Sequence, residues 1–216
     1  MAILRRKKTE SADEIAAETE AHEGAGPVSP RAAGPWDVTE RDTDDPAYVD
    51  LGALRVRGRA GMEIRLQSDG PEDRIGAALV VTEDAAMELR AFAGPRSPGQ
   101  WEVVRDDLVA EVERLEGECV QSDGPFGPEL HVRIPVTLDD GQPGVQPSRI
   151  VGVDGPRWML RATLLGRAAL EPSDDGVLID TLRDVVVVRG PEAMAAREPL
   201  LLTPPESAVA PGADVD

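Results

Sequence analysis

The stretch "SRIVGVDGPRWMLRATLLG", residues 148–166, decides how this chain folds. Two apolar runs flank Asp154-Gly155, a strong short-range hairpin signal, with Pro156 just beyond. Setting Val153 opposite Pro156 puts Val151 opposite Trp158 and Gly152 opposite Arg157. Side chains alternate across a strand. Trp158, Leu160, Ala162 and Leu164 therefore share a core face, while Arg157, Met159, Arg161 and Thr163 share the other with Ile150. A hairpin with one dry and one decorated face belongs in an antiparallel sheet.

Upstream the same period of two recurs. "VDLGALRVRG", "GMEIRLQ", "IGAALVVT" and "MELRAFA" read as four strands, with Met62, Ile64 and Leu66 on one face and Glu63, Arg65 and Gln67 on the other. Then the period changes. In "SPGQWEVVRDDLVAEVERLEGE" the residues Trp101, Val104, Leu108, Val112 and Leu115 recur at helical spacing, which predicts a helix over 99–117 ending at Gly117. "ELHVRIPVTL" resumes the alternation as a fifth strand, with Leu130, Val132, Ile134 and Val136 inward and Glu129, His131 and Arg133 outward. Beyond the hairpin, "PSDDGVLIDTLRD" predicts a short helix over 174–183, "VVVVRG" a buried strand, and "REPLLLTPP" a segment closing over the sheet edge. The expected architecture is α+β: a largely antiparallel sheet of about seven or eight strands, with both helices on its dry face.

The ends read differently. Residues 1–35, rich in Ala, Glu, Gly and Pro, lack a strong apolar repeat and are expected to be a disordered tail, as are residues 206–216 beyond Pro204-Pro205. That leaves a single α+β domain over 36–205. Within the first tail Ser11 and Glu14 have the spacing of a capping box, and Arg5, Arg6, Lys7 and Lys8 form a basic cluster.

Composition narrows the chemistry. A net charge of −18 and a pI near 4.5 make a field that repels phosphate backbones and anionic lipid, so no nucleic acid is expected as a partner. No run approaches the ~20 apolar residues of a membrane span, and "MAILRRKKTE" is followed by no apolar signal segment. One cysteine, Cys119, can form neither an internal disulfide nor a multi-thiolate metal site, which points to the cytoplasm. The absence of asparagine and the presence of only two lysines among many arginines fit a GC-rich genome.

Catalytic constellations fail on supply. Triads and zinc sites need histidines or thiolates that meet in space, and this chain has only His22 in the tail and His131 on a strand. Cys119 sits beside Glu116 and Glu118, and such a setting raises a thiol pKa. No phosphate loop occurs, and "GPFGPEL" reads as a turn. Neither cofactor nor metal is expected. Acids such as Asp139 and Asp140, or "DTDDP", keep a carboxylate- and metal-dependent enzyme as the alternative.

What remains is an arginine set: Arg157 and Arg161 on the hairpin, Arg133 on a strand near it, and Arg189 after "VVVV". Guanidinium forks take carboxylate or phosphate through two parallel hydrogen bonds. The plainer role is cross-strand pairing with Glu63, Glu88 and Glu129. Gly152 opposite Arg157 would leave room for a ligand or another backbone.

The blocks "GVDGPRWMLR", "VVVVRG", "FAGPRSPGQWEVVRDDL" and "DGPFGPEL", with "DLGALRV" and "GMEIRL" before them, resemble the signature of an uncharacterised actinobacterial domain-of-unknown-function family over Trp36 to Pro205. The resemblance implies a cytoplasmic protein and supplies no catalytic residues. The chain departs from it near "AAREPLLL", where further prolines are usual. The order of strands, long helix, strands and closing helix is similar to Mog1/PsbP-like sandwiches and secretion-chaperone-like folds, both mainly binding scaffolds. The expected function is a non-enzymatic binding module for a protein partner or small anionic ligand, using Arg157, Arg161, Arg133 and Gly152.

Overall fold

The computed structural model describes residues 31, 33–69, 74–138 and 140–205. The Ser11/Glu14 box, the Arg5–Lys8 cluster, His22, Asp139 and residues 206–216 lie outside them, and of the tail over 1–35 only Arg31 and residues 33–35 are described.

In chain order the elements are β1 (Trp36–Asp37), β2 (Tyr48–Asp50), β3 (Leu54–Arg57), β4 (Glu63–Asp69), β5 (Arg74–Val81), β6 (Ala85–Ala93), α1 (Gln100–Arg114), β7 (Glu118–Gly124), β8 (Gly127–Thr137), β9 (Pro143–Gly155), β10 (Trp158–Gly166), α2 (Arg167–Leu170), α3 (Val177–Asp184) and β11 (Val186–Val187). The architecture is the expected α+β sandwich. A seven-stranded antiparallel sheet runs β4-β5-β6-β10-β9-β8-β7, and a four-stranded sheet runs β1-β11-β3-β2 with one parallel pair, β1 to β11.

The central hairpin forms with a shifted turn. Trp158 pairs with Gly155 and Arg161 with Gly152, so the turn is Pro156-Arg157 and not Asp154-Gly155. Proline presets φ at the first central position, and Arg157 takes φ 64° at the second, the order of a type II turn. The expected register, with Gly152 opposite Arg157, is thereby corrected. The face assignment of β10 survives, because moving the turn by two residues preserves side-chain parity.

Trp158, Leu160, Ala162 and Leu164 are buried with Val80, Met87 and Leu89 on one face of the large sheet. The small sheet and α3 cover that face through Leu54, Val56, Val187, Leu178 and Leu182. Helix α1 was expected there too, and it packs on the opposite face. Its Trp101 and Val112 bury against Leu130, Val132, Ile150 and Met159. The two apolar sets of the large sheet thus make two cores, one per face. Of the inward residues expected in "ELHVRIPVTL", Leu130, Val132 and Ile134 pack in the α1 cluster, while Trp158 points away from it.

Two strand boundaries also differ. "VDLGALRVRG" is not one strand: Gly52, at φ 76°, turns β2 back on β3, with Val49 paired to Val56. Residues 118–124, with no clean apolar alternation to mark them, form the edge strand β7. Leu200 and Leu202 of the closing segment are buried, and isolated bridges tie Leu202 to Gly52 and Ile75. Among the described residues no helix is long and apolar enough to cross a membrane.

Candidate functional site

The face bearing Arg161 is shaped by the way α1 docks. Gly99 starts the helix at φ 113° with no capping side chain of its own. The cap comes from the hairpin: Asp154 accepts hydrogen bonds from the amides of Gly99 at 2.9 Å and Trp101 at 3.0 Å. A carboxylate there satisfies orphan donors and meets the positive end of the helix dipole. Trp101 then lies across Gly152. A Cβ on Gly152 would stand 2.1 Å from the indole ring, so the space left by this glycine is filled by the protein's own tryptophan. The indole N–H donates to the Pro128 carbonyl at 2.7 Å.

Beside Trp101, between the helix and the sheet, lies a cleft of about 310 Å³. Its floor is Phe92 and Met159, and Val104 and Leu108 form the helical wall. Arg161 enters from β10 with its guanidinium 5.6 Å from the centre of the Phe92 ring and 3.8 Å from Glu88. Arg90, directly opposite Arg161 on β6, holds the same carboxylate at 2.8 Å. Arg197, on the closing segment, reaches over the rim and pairs with Asp107 of α1 at 2.8 Å. The cleft thus offers an apolar bed, two guanidiniums and a helix edge carrying Asp107 and Glu111. That combination can hold a small molecule with an apolar body and an anionic head.

The other sequence-derived candidates do not gather here. Arg157 sits in the turn and donates to the Glu192 carbonyl at 3.2 Å, where Arg189 also donates at 3.1 Å. These two arginines anchor the segment after β11. Arg133 is opposite Glu118 and Pro147, in phase with Arg149 and therefore on the face away from Arg161. Conversely, Arg197, Gln100, Asp107 and Glu111 were not anticipated. The helical acids were visible beside the Val104/Leu108 stripe, but Arg197 arrives from a segment without periodicity.

A second polar cluster lies on the opposite face and was expected to be wet. Glu129 is 2% exposed and Arg149 1% exposed. The guanidinium makes a fork to Glu129 at 2.8 and 2.9 Å, and its remaining nitrogen donates to the Ser173 carbonyl at 2.6 Å. His131 stands 2.9 Å from the same carboxylate. This cluster holds the loop between α2 and α3 against the sheet. All its strong contacts are internal, which makes it a clamp. Cys119 lies on β7 with its thiol pushed above the ordinary range by burial and by Glu113, a setting opposed to nucleophilic use. The acids of "DTDDP" accept local amides, Asp42 from Asp44 and Asp45 from Ala47. No group of three or more metal-ligating side chains occurs among the described residues.

The chain belongs to the family described as Protein of unknown function (DUF3710), whose profile matches residues 34–210. No curated protein matches it.

Proposed function

We propose that this member of the DUF3710 family is a non-enzymatic binding module of the cytoplasm, and that the cleft between α1 and the large sheet takes a small monoanionic ligand with an apolar body. One observation carries the reading: the Arg161 guanidinium lies over Phe92 at the floor of an apolar cleft of about 310 Å³. Apolar walls lower the local dielectric and strengthen a guanidinium–carboxylate pair. The volume is at the small end of ligand pockets, which run from about 300 to 1,000 Å³. Asp107 and Glu111 on the helical wall repel a second negative charge, so a monocarboxylate is favoured over a dicarboxylate or phosphate. The cytoplasmic assignment rests on the lone Cys119.

The experiment is a thermal-shift series with aromatic and branched aliphatic monocarboxylates, dicarboxylates and inorganic phosphate. A ligand at 100 times its Kd adds about 2.7 kcal/mol of stability. An apolar monocarboxylate should raise the Tm of the wild type and leave that of Arg161→Gln unmoved, while the unliganded variant stays within about 1 kcal/mol of wild type because its pair with Glu88 is long and partly solvated. Equal responses from wild type and Arg161→Gln, or a response confined to phosphate, would refute it.

A further inference from the structure

The large sheet ends on two strands of different character. The β4–β5 pairing shifts register between Gln67 and Ser68, and Glu63 pairs with Arg65 along β4. Bulges and charges are the usual devices that keep a sheet edge from accepting another strand. β7 has neither at its centre. It pairs with β8 in unbroken register from Glu118 opposite Arg133 to Gly124 opposite Gly127. Its middle reads Cys119-Val120-Gln121-Ser122, without charge or proline, and Val120 is 62% exposed. Among the described residues no strand lies beyond it.

We propose that β7 pairs antiparallel with β7 of a second copy of this chain, across a two-fold axis at Gln121, so that two seven-stranded sheets become one. A two-fold axis normal to the sheet keeps each face with its counterpart, so paired residues must be both odd or both even in number. Full overlap of 118–124 satisfies this with the axis at the middle residue. Glu118 then faces Gly124 of the second copy, Cys119 faces Asp123, Val120 faces Ser122, and Gln121 faces itself. No two carboxylates stand directly opposite, which matters in a chain of net charge −18. Moving the axis to Val120 or Ser122 keeps the parity but shortens the ladder. The strand is therefore complementary to itself in length, phase and charge, and a second copy meets all three requirements.

The test is sedimentation of the full chain over a concentration series. Wild type should show a monomer–dimer equilibrium that strengthens as salt rises, because screening weakens the repulsion between two acidic copies. Gln121→Lys and Gln121→Glu should each be monomeric, since each puts like charges opposite one another at the axis. Their equimolar mixture should regain the dimer. Gln121 is exposed, and unchanged far-UV circular dichroism in both variants separates lost pairing from lost folding. A wild type that stays monomeric throughout, single variants that dimerise as wild type does, or a mixture that stays monomeric would each overturn the proposal. Arg161→Gln should leave the equilibrium unchanged, which keeps this result independent of the cleft.

Discussion

Gly152 shows how much one position decides. Its missing side chain is what lets the Trp101 indole lie flat on β9, and an added methyl would collide with ring carbons that are themselves wedged against the sheet. Gly152→Ala is expected to destabilise the fold by about 1–3 kcal/mol, the usual range for overpacking, as measured by urea midpoints. A variant as stable as wild type would return the space to a ligand. On the other face Trp158, 1% exposed, donates its indole N–H to Asp37 at 2.8 Å, and Arg31 stacks 5.4 Å over its ring. Trp158→Ala should lose roughly 3–5 kcal/mol. For Asp37, burial alone pushes the carboxyl pKa up. Hydrogen bonds from the Thr39 hydroxyl and amide and from Trp158, with the Arg31 charge, outweigh that and hold it below its ordinary value. A depressed folded pKa means stability that is present at neutral pH and lost as the pH falls through that value. Asp37→Asn should therefore be less stable than wild type near neutrality, by about 1–3 kcal/mol, with the gap closing in acid.

At the scale of elements, α1 is held by residues that are not its own. Removing the cap with Asp154→Ala should destabilise the protein by about 0.5–2 kcal/mol and speed hydrogen exchange at Gly99 and Trp101. At the other end Glu116 takes φ 56°, its amide bonding to Glu113 and that of Gly117 to Val112, a Schellman arrangement with a non-glycine residue in the left-handed position. Glu116→Gly should stabilise by up to about 1 kcal/mol, since the left-handed region penalises a side chain. The clamp between β8, β9 and the α2–α3 loop behaves oppositely to a surface pair. Glu129→Gln removes the negative partner of a guanidinium that is 1% exposed, and a loss of about 3–5 kcal/mol is expected in denaturant titration.

For the whole molecule, the trimming experiment is informative. The apolar periodicity spans 36–205, while Arg31 caps the Trp158 ring, and its backbone carbonyl accepts the Gly34 amide. We propose that a chain of residues 31–205 melts with the full-length protein, and that one of residues 36–205 folds but melts lower, because it exposes an edge of the Trp158 core. Equal melting of both fragments would show that the Arg31 contacts contribute nothing.

The fold class, the strand periodicity, the helical stripe of α1 and the membership of each β10 face were legible in the sequence, because burial imposes periods of 2 and 3.6 that survive errors in loop position. The sequence did not determine what covers each face. Both sides of the large sheet carry apolar residues, and nothing local tells Leu130 that it meets α1 while Leu160 meets the small sheet. The same limit hid the site. The Arg161 spacing was legible, but whether Arg133 shares its face depends on pairing across β8, β9 and β10, and Arg197 joins the cleft only after the chain has crossed the sheet. Glu129 looked solvated because its partner, Arg149, is 20 residues away and its burial is a property of the loop that Arg149 holds down. Local chemistry sets periods and turns; long-range packing decides which side chains meet, and binding depends on that meeting.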